Sequence, residues 1–211
     1  MYLPAHFAER RPEVLRRAIH DHPLGLLVTH DAAGAVANDL PFLFDADPAP
    51  LGTLRAHVAR ANPLWRDTLD ASEALVVFQG PQAYVSPGWY PSKRETGKVV
   101  PTWNYVMVQA RGRLRAVDDK AWVRAFVERL TARHESGRAA PWAPADAPDD
   151  FIDAQLGAIV GIEIELTTLV GKWKVSQNRS AADRAGVADG LRAEGSEEAA
   201  LVAGQVQPDR A

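Results

Sequence analysis

The sequence LGLLVTHDAAGAVANDLPFLF, residues 24–44, decides the fold class of this chain. Leu24 to His30 is a short apolar run typical of a buried strand, and Asp31 to Gly34 has the composition of a turn. Val36 to Phe44 then returns as a second apolar stretch. Two strand-like runs separated by such a turn predict an antiparallel hairpin.

The stretches on either side of this hairpin extend the β pattern. Leu51 to Val58 alternates apolar and polar residues, as expected of a strand with one buried face. Further strands are predicted at residues 74–78, 83–86, 102–117, 159–166 and 172–176, with a turn at residues 80–82 and a possible break near Gly112. Helices are predicted at residues 12–21, 59–69, 149–156 and 181–191, and from a cap at Asp118 to about His134.

Many short strands with Pro and Gly turns and only peripheral helices predict a mainly β (α+β) barrel, not an alternating α/β sheet. The length of 211 residues suits one domain, expected to span residues 1–192. Residues 193–211 are small, polar and acidic at the start, and this composition predicts a disordered tail.

Composition narrows the function. The formal net charge of −3 provides no general basic field for nucleic acid, and the absence of cysteine excludes disulfides and thiolate metal sites. No signal peptide and no apolar run of about 18 residues are evident, so a cytoplasmic protein without membrane contact is expected.

The common catalytic motifs are missing, among them Gly-rich phosphate loops and the nucleophile elbow. His20 and His22 lie two apart near a predicted helix end, a spacing that does not favour shared metal ligation. Glu163 and Glu165 share one face of a predicted strand, where a solvated surface is the expected interpretation and acid–base chemistry the alternative.

Four segments, taken together, combine aromatic, basic and amide side chains, a mixture that core strands do not need. Such a mixture suits a planar, polar, phosphorylated ligand, because aromatic surface packs on a ring while amides and cations bind its edge and phosphate. These segments are residues 54–63 (LRAHVARANP), 78–90 (FQGPQAYVSPGWY), 97–105 (GKVVPTWNY) and 171–179 (GKWKVSQNR).

In these four segments, which occur in order, the chain resembles the PaiB-like proteins, described as FMN-binding negative transcriptional regulators. The resemblance runs from Met1 to about Leu191. It implies an FMN-binding split β-barrel with peripheral helices, and a homodimer that holds FMN at the subunit interface. The resemblance also implies a regulatory role, although the chain shows no recognisable DNA-binding motif, so DNA remains only a possible partner.

The resemblance implies a phosphate site at the predicted strand-to-helix corner that carries His57 and Arg60. Arg60 is expected to contribute more, because a guanidinium binds phosphate in a bidentate manner, and Lys174 is a possible third partner. Substituting Arg60 by Ala should then weaken the binding of FMN more than that of riboflavin, which lacks the phosphate.

The remaining site residues implied by the resemblance lie near the flavin ring or close over it. They are Thr102, Trp103, Asn104, Trp173, Lys174 and Gln177.

The sequence departs from the family pattern at Asp39, where the family leads us to expect a histidine. If the Asp39 carboxylate faced the phosphate, it would repel it.

Two alternatives to a regulator stay open on the sequence. One is a flavin-dependent or haem-binding oxidoreductase of the same superfamily, in which the cofactor performs the chemistry and no catalytic base is needed. The other is a barrel that has lost its cofactor and acts through protein contacts. The visible absorption spectrum of the purified protein distinguishes flavin, haem and cofactor-free states.

Overall fold

The computed structural model describes residues 1–47, 51–67 and 73–206. The strands are β1 (Ala8–Glu9), β2 (Leu24–Asp31), β3 (Gly34–Pro41), β4 (Leu43–Asp45), β5 (Thr53–Ala59), β6 (Glu73–Val85), β7 (Thr102–Val117) and β8 (Ile159–Lys174). The helices are α1 (Pro12–Asp21), α2 (Leu64–Asp67), α3 (Ser92–Thr96), α4 (Lys120–Glu135), α5 (Asp149–Gly157), α6 (Ala181–Ala193) and α7 (Glu197–Val206).

The eight strands form one sheet in the order β3-β2-β6-β7-β8-β5-β4, with β1 paired to β8. β2 runs antiparallel to both β3 and β6, and β5 runs antiparallel to both β4 and β8. The β2–β3 register pairs Leu24 with Pro41 and closes at Asp31 and Gly34, so the predicted hairpin is confirmed.

The chain divides into two compact units. Unit 1 comprises Met1–Ala18, Gln79–Val108 and Val170–Ala211, and unit 2 comprises Ile19–Phe78 and Gln109–Leu169. Strands β6, β7 and β8 contribute residues to both units.

Several predicted elements differ in extent from the structure. β6 is one continuous strand through the predicted turn at residues 80–82, and β8 continues from Ile159 to Lys174 without interruption. Within unit 1, a Cβ atom at Gly80 would lie 3.0 Å from Cβ of Val106, so this glycine permits close approach of a neighbouring strand. α4 begins after Asp119, not Asp118, and the Asp119 side chain accepts the backbone N–H of Trp122 at 2.7 Å.

The expected disordered tail is the largest difference from the predicted fold. Residues 197–206 form helix α7, four of whose apolar side chains are buried in a cluster of unit 1, and residues 207–211 lie outside the described part of the chain. The Ser196 hydroxyl accepts the backbone N–H of Ala199 at 3.1 Å and caps the helix. The buried members of α7 are Ala199, Val202, Ala203 and Val206.

Two glycines of α6 allow close packing in unit 1. A Cβ atom at Gly186 would lie 2.1 Å from the backbone oxygen of Trp89, and one at Gly190 would lie 2.3 Å from the Trp89 indole ring. Real Cβ atoms do not approach other atoms this closely, so α6 packs on Trp89 only because both positions lack a side chain.

In unit 2, Glu163 on β8 is the centre of a charged network. Its carboxylate accepts hydrogen bonds from Nε–H of Arg55, at 2.8 Å, and from the indole N–H of Trp122, at 3.3 Å. It also forms an ion pair with Arg115. Both carboxylates were predicted to lie on a solvent-exposed strand face. The prediction is wrong for Glu163, which is only 8% exposed, and is confirmed for Glu165, which is exposed.

Candidate functional site

Three cations of unit 1 come from the end of β8 and the segment after it. Lys172 and Lys174 lie two apart on the strand, so their side chains share one face of the sheet. Both ammonium groups lie over the ring of Tyr105, at 5.4 and 5.9 Å from its centroid. The guanidinium of Arg179 lies 5.0 Å from the ring centroid of Tyr90. We refer to Lys172, Lys174 and Arg179 as the basic cluster.

Lys174 is the member of the basic cluster tied most closely to the predicted site. Its ammonium donates to the hydroxyl of Thr102 and to the backbone oxygen of Trp103, both at 2.5 Å. Burial lowers the pKa of Lys174 from its ordinary value, and the charges of Lys172 and Arg179 lower it further. An anion bound here would relieve that repulsion.

The basic cluster has no acidic counterpart within the described ranges. No carboxylate of residues 1–47, 51–67 or 73–206 lies within ion-pair distance of Lys172, Lys174 or Arg179. Lys172 is nevertheless buried, and donates to the backbone oxygen of Tyr2 at 3.0 Å. Partly buried positive charge without a carboxylate partner is a suitable environment for a phosphate group.

Two predicted site residues fix the segment after β8. The amide of Asn104, which is buried, donates to the Ser176 hydroxyl at 2.9 Å. Gln177 donates to the backbone oxygen of Trp173 at 2.5 Å and accepts the backbone N–H of Val175 at 2.8 Å. Ser176 adopts a φ of 64°, a left-handed conformation that these bonds hold in place. Asn104 and Gln177 therefore position the segment that carries Arg179.

An aromatic surface lies on the neighbouring strands of unit 1. The Trp103 side chain is 48% exposed, and its indole N–H donates to the side-chain oxygen of Gln82 at 3.1 Å. Tyr84 meets Trp103 edge to face, with ring centroids 6.2 Å apart. A cavity of about 180 Å³ opens beside them, lined by Gln79, Gly80, Gln82, Trp103, Tyr105, Val106 and Met107.

Thr102, Trp103, Asn104, Trp173, Lys174 and Gln177 thus share unit 1 and are joined by hydrogen bonds or by sequence adjacency. The prediction did not include Lys172, Tyr105 or Gln82. All three lie inside the quoted segments, but the sequence does not show that β7, which carries Tyr105, lies between β6, which carries Gln82, and β8, which carries Lys172.

The other two predicted residues lie in unit 2. Arg60 has a full set of protein partners, with two hydrogen bonds to the carboxylate of Asp118 at 2.8 and 2.5 Å. It also donates to the backbone oxygens of Gly157, at 2.8 Å, and Ile159, at 3.3 Å. A phosphate at Arg60 would compete with the Asp118 carboxylate for the guanidinium, and the predicted phosphate contact stays a prediction.

His57 and Asp39 also lie in unit 2. The imidazole of His57 packs edge to face on Phe126, with ring centroids 5.7 Å apart. Burial lowers the pKa of His57, which favours the neutral ring and weakens its case as a phosphate ligand. Asp39 is exposed on β3.

Among the described residues, no three His, Asp or Glu side chains come together in a group that could bind a metal ion. Among the same residues, no helix combines the length and the apolar character needed to cross a bilayer.

A family model described as "Putative FMN-binding domain" matches residues 1–168 of the chain. An uncharacterized protein of Aspergillus fumigatus is 33% identical, with 93% of each chain covered. The protease synthase and sporulation protein PAI 2 of Bacillus subtilis is 30% identical, over 92% of this chain and 90% of the relative.

Two solved structures share the fold. The flavocytochrome Anf3 of Azotobacter vinelandii aligns with a TM-score of 0.59 at 13% identity, covering 79% of this chain and 69% of that one. The FAD and haem binding protein of Mycobacterium smegmatis aligns with a TM-score of 0.58 at 17% identity, covering 79% and 73%. At this identity the likeness shows the fold alone, and it confirms the predicted mainly β split barrel with peripheral helices.

Proposed function

This chain belongs to the FMN-binding domain family. We therefore propose that it is a flavoprotein and that the basic cluster of unit 1 binds the phosphate of FMN. FMN is the cofactor predicted in the sequence analysis, and it is the cofactor named in the description of the family. The observation that carries the proposal is the set of three cations, Lys172, Lys174 and Arg179, without a carboxylate partner among the described residues.

The donors present fit a phosphate ester. The Lys174 ammonium and the Thr102 hydroxyl already lie 2.5 Å apart, so both could donate to one phosphate oxygen. Arg179 adds a planar guanidinium suited to two parallel hydrogen bonds. The desolvation that penalises Lys174 in the free protein is offset when a dianion binds beside it.

The residues around the basic cluster also fit the flavin ring. Trp103 and Tyr105 offer aromatic faces, and the amides of Gln79 and Gln82 offer donors and acceptors for the edge of a planar heterocycle. Trp103 is held by its bond to Gln82, so its face is oriented before a ligand arrives. Bound FMN would supply one- and two-electron transfer, chemistry that amino-acid side chains lack.

A Lys174→Met variant should bind FMN about 10- to 100-fold more weakly than the wild type, as expected for the loss of one charged hydrogen bond. Riboflavin, which has the same ring but no phosphate, should bind both proteins equally. Flavin fluorescence titration of both ligands measures the difference. Lys93→Met is the matched control, since it removes one exposed lysine of α3 in the same unit.

Arg60→Ala should be measured in the same titration, because the family resemblance implies that Arg60 contacts the phosphate. A loss specific to FMN in Arg60→Ala, with none in Lys174→Met, would move the phosphate to the strand-to-helix corner of unit 2. Equal losses of FMN and riboflavin in Lys174→Met would mean that this lysine supports the fold or the ring. A wild type that binds neither flavin would refute the cofactor proposal.

We further propose that the flavoprotein is a cytoplasmic homodimer and acts as a negative transcriptional regulator. The support is the family resemblance and the 30% identity to the Bacillus subtilis protein named for protease synthesis and sporulation. Helix α6 is not suited to be a DNA recognition helix. Asp183 of this helix is buried, and its carboxylate accepts a hydrogen bond from the Ser92 hydroxyl at 2.9 Å. Arg192 forms an ion pair with Asp189 at 3.1 Å, so its charge is already balanced within the helix.

Deleting the gene should raise a defined set of transcripts, as expected for loss of a negative regulator. Re-expression of the wild type should restore them, while Lys174→Met should restore them incompletely if regulation depends on bound FMN. Sequencing of total RNA from the three strains is the measurement. Unchanged transcripts after deletion would remove the regulatory role and leave flavin binding untouched.

A further inference from the structure

Unit 2 contains a second cavity, which the proposed FMN site does not use. Its volume is about 310 Å³, within the range of small-molecule pockets. It opens among β5, α4, α5 and the segment that holds Trp142 and Pro144. Its apolar and aromatic lining consists of Val127, Trp142, Phe151, Ile152, Leu156 and Ile159.

One lining side chain is a polar group without a protein partner. The imidazole of His57 makes no hydrogen bond to any described residue, and its Nδ1 is buried. A buried polar atom without a partner is costly, and most such atoms in native proteins are paired with protein, water or ligand. His57 packs edge to face on Phe126 and is one of the residues that line the cavity. Because Nδ1 is inaccessible, Nε2 is the ring nitrogen that a bound molecule can reach.

The charges at the cavity indicate what it can hold. Arg124 and Glu128 lie four residues apart on α4 and bring opposite charges to the lining. The guanidinium of Arg124 is already paired with Asp153 at 2.8 Å. The Glu128 carboxylate makes no ion pair with any described residue, so the only uncompensated charge of the lining is negative, and together with the apolar walls it would make a bound phosphate dianion costly.

We propose that this cavity binds a small neutral aromatic molecule that carries one hydroxyl group, with the imidazole of His57 as its hydrogen-bond partner. Trp142 and Phe151, 46% and 53% exposed, would then pack on the ligand and lose contact with water. This assigns His57 to a ligand other than the FMN phosphate, and it does not rest on the flavin proposal.

Calorimetric titration with 2-naphthol tests the proposal, and naphthalene serves as the probe without the hydroxyl. Wild type should bind both, and His57→Phe should bind 2-naphthol about tenfold more weakly with naphthalene unchanged, as expected for one neutral hydrogen bond. His30→Phe, the same substitution at an exposed position of unit 2, should alter neither. Val127→Phe should fill the cavity and weaken both at least tenfold, with circular dichroism confirming that each variant is folded.

Three outcomes would overturn the proposal. The first is the absence of saturable binding of either probe by wild type. The second is equal 2-naphthol affinity in wild type and His57→Phe. The third is displacement of 2-naphthol by FMN, which would assign the cavity to the flavin.

If a second copy of the chain covers the cavity instead, neither probe will bind, and Phe151→Asp will shift the sedimentation coefficient toward the monomer. A failure of FMN binding alone leaves these readouts unchanged.

Discussion

A Val202→Asp variant is expected to lose about 3–5 kcal/mol of unfolding free energy, the cost of placing an ionised carboxylate among apolar side chains. Val202 is almost completely buried in the cluster that α7 forms with other parts of unit 1. No cation of the cluster is available to pair with the new carboxylate, since its buried members are apolar. Urea denaturation followed by circular dichroism measures the change.

The adjacent residue offers a matched control. Leu201 is half exposed on the same helix, so Leu201→Asp should change the unfolding free energy by less than about 0.5 kcal/mol. A chain that ends at Gly195 should lose stability like Val202→Asp, because it leaves the cluster uncovered. Equal, small effects of both substitutions would mean that residues 197–206 do not pack as α7 in solution.

A Glu163→Ala variant is expected to be destabilised by about 3 kcal/mol, the range for removing one partner of a buried ion pair. Arg55 keeps its pairing with Asp45, but Arg115 and the indole N–H of Trp122 both lose their acceptor. Chemical denaturation again provides the measurement, and Glu163→Gln should recover part of the loss because it retains an acceptor oxygen.

Glu165→Ala separates burial from charge. Glu165 lies two residues further along β8 but is exposed, so its removal should cost little. If the two alanine variants were equally stable, the Glu163 network would contribute nothing to folding. The sequence could not rank the two carboxylates, because the arginines that surround Glu163 come from β5 and β7, more than 40 residues away.

The sequence predicted the elements whose signals are local. The hairpin of β2 and β3 has both its apolar runs and its turn within 21 residues, and β7 has the predicted bounds, Thr102 to Val117, without a break at Gly112. Helix α7 was missed because its acidic start suggested disorder, yet Ala199, Val202, Ala203 and Val206 follow the i, i+3, i+4, i+7 pattern of an amphipathic helix. That pattern was the available signal.

The candidate site was predictable in its segments and not in its contacts. Lys174 and Thr102 are 72 residues apart and meet only because β7 and β8 are neighbours in the sheet. The pairing of Arg60 with Asp118 spans 58 residues and was equally invisible. Composition identifies which stretches carry chemistry, whereas the register of long-range strand pairing decides which side chains face each other.

The close fit of α6 on Trp89 has an evolutionary consequence. Glycine lowers intrinsic helix stability by about 1 kcal/mol relative to alanine, so drift alone should replace Gly186 and Gly190. Any such replacement meets the Trp89 backbone or indole at 2.1 to 2.3 Å, so it becomes acceptable only after residue 89 or its loop changes. Among relatives that retain α6, these positions should therefore co-vary, and a lineage with alanine at 190 should carry a smaller side chain at 89.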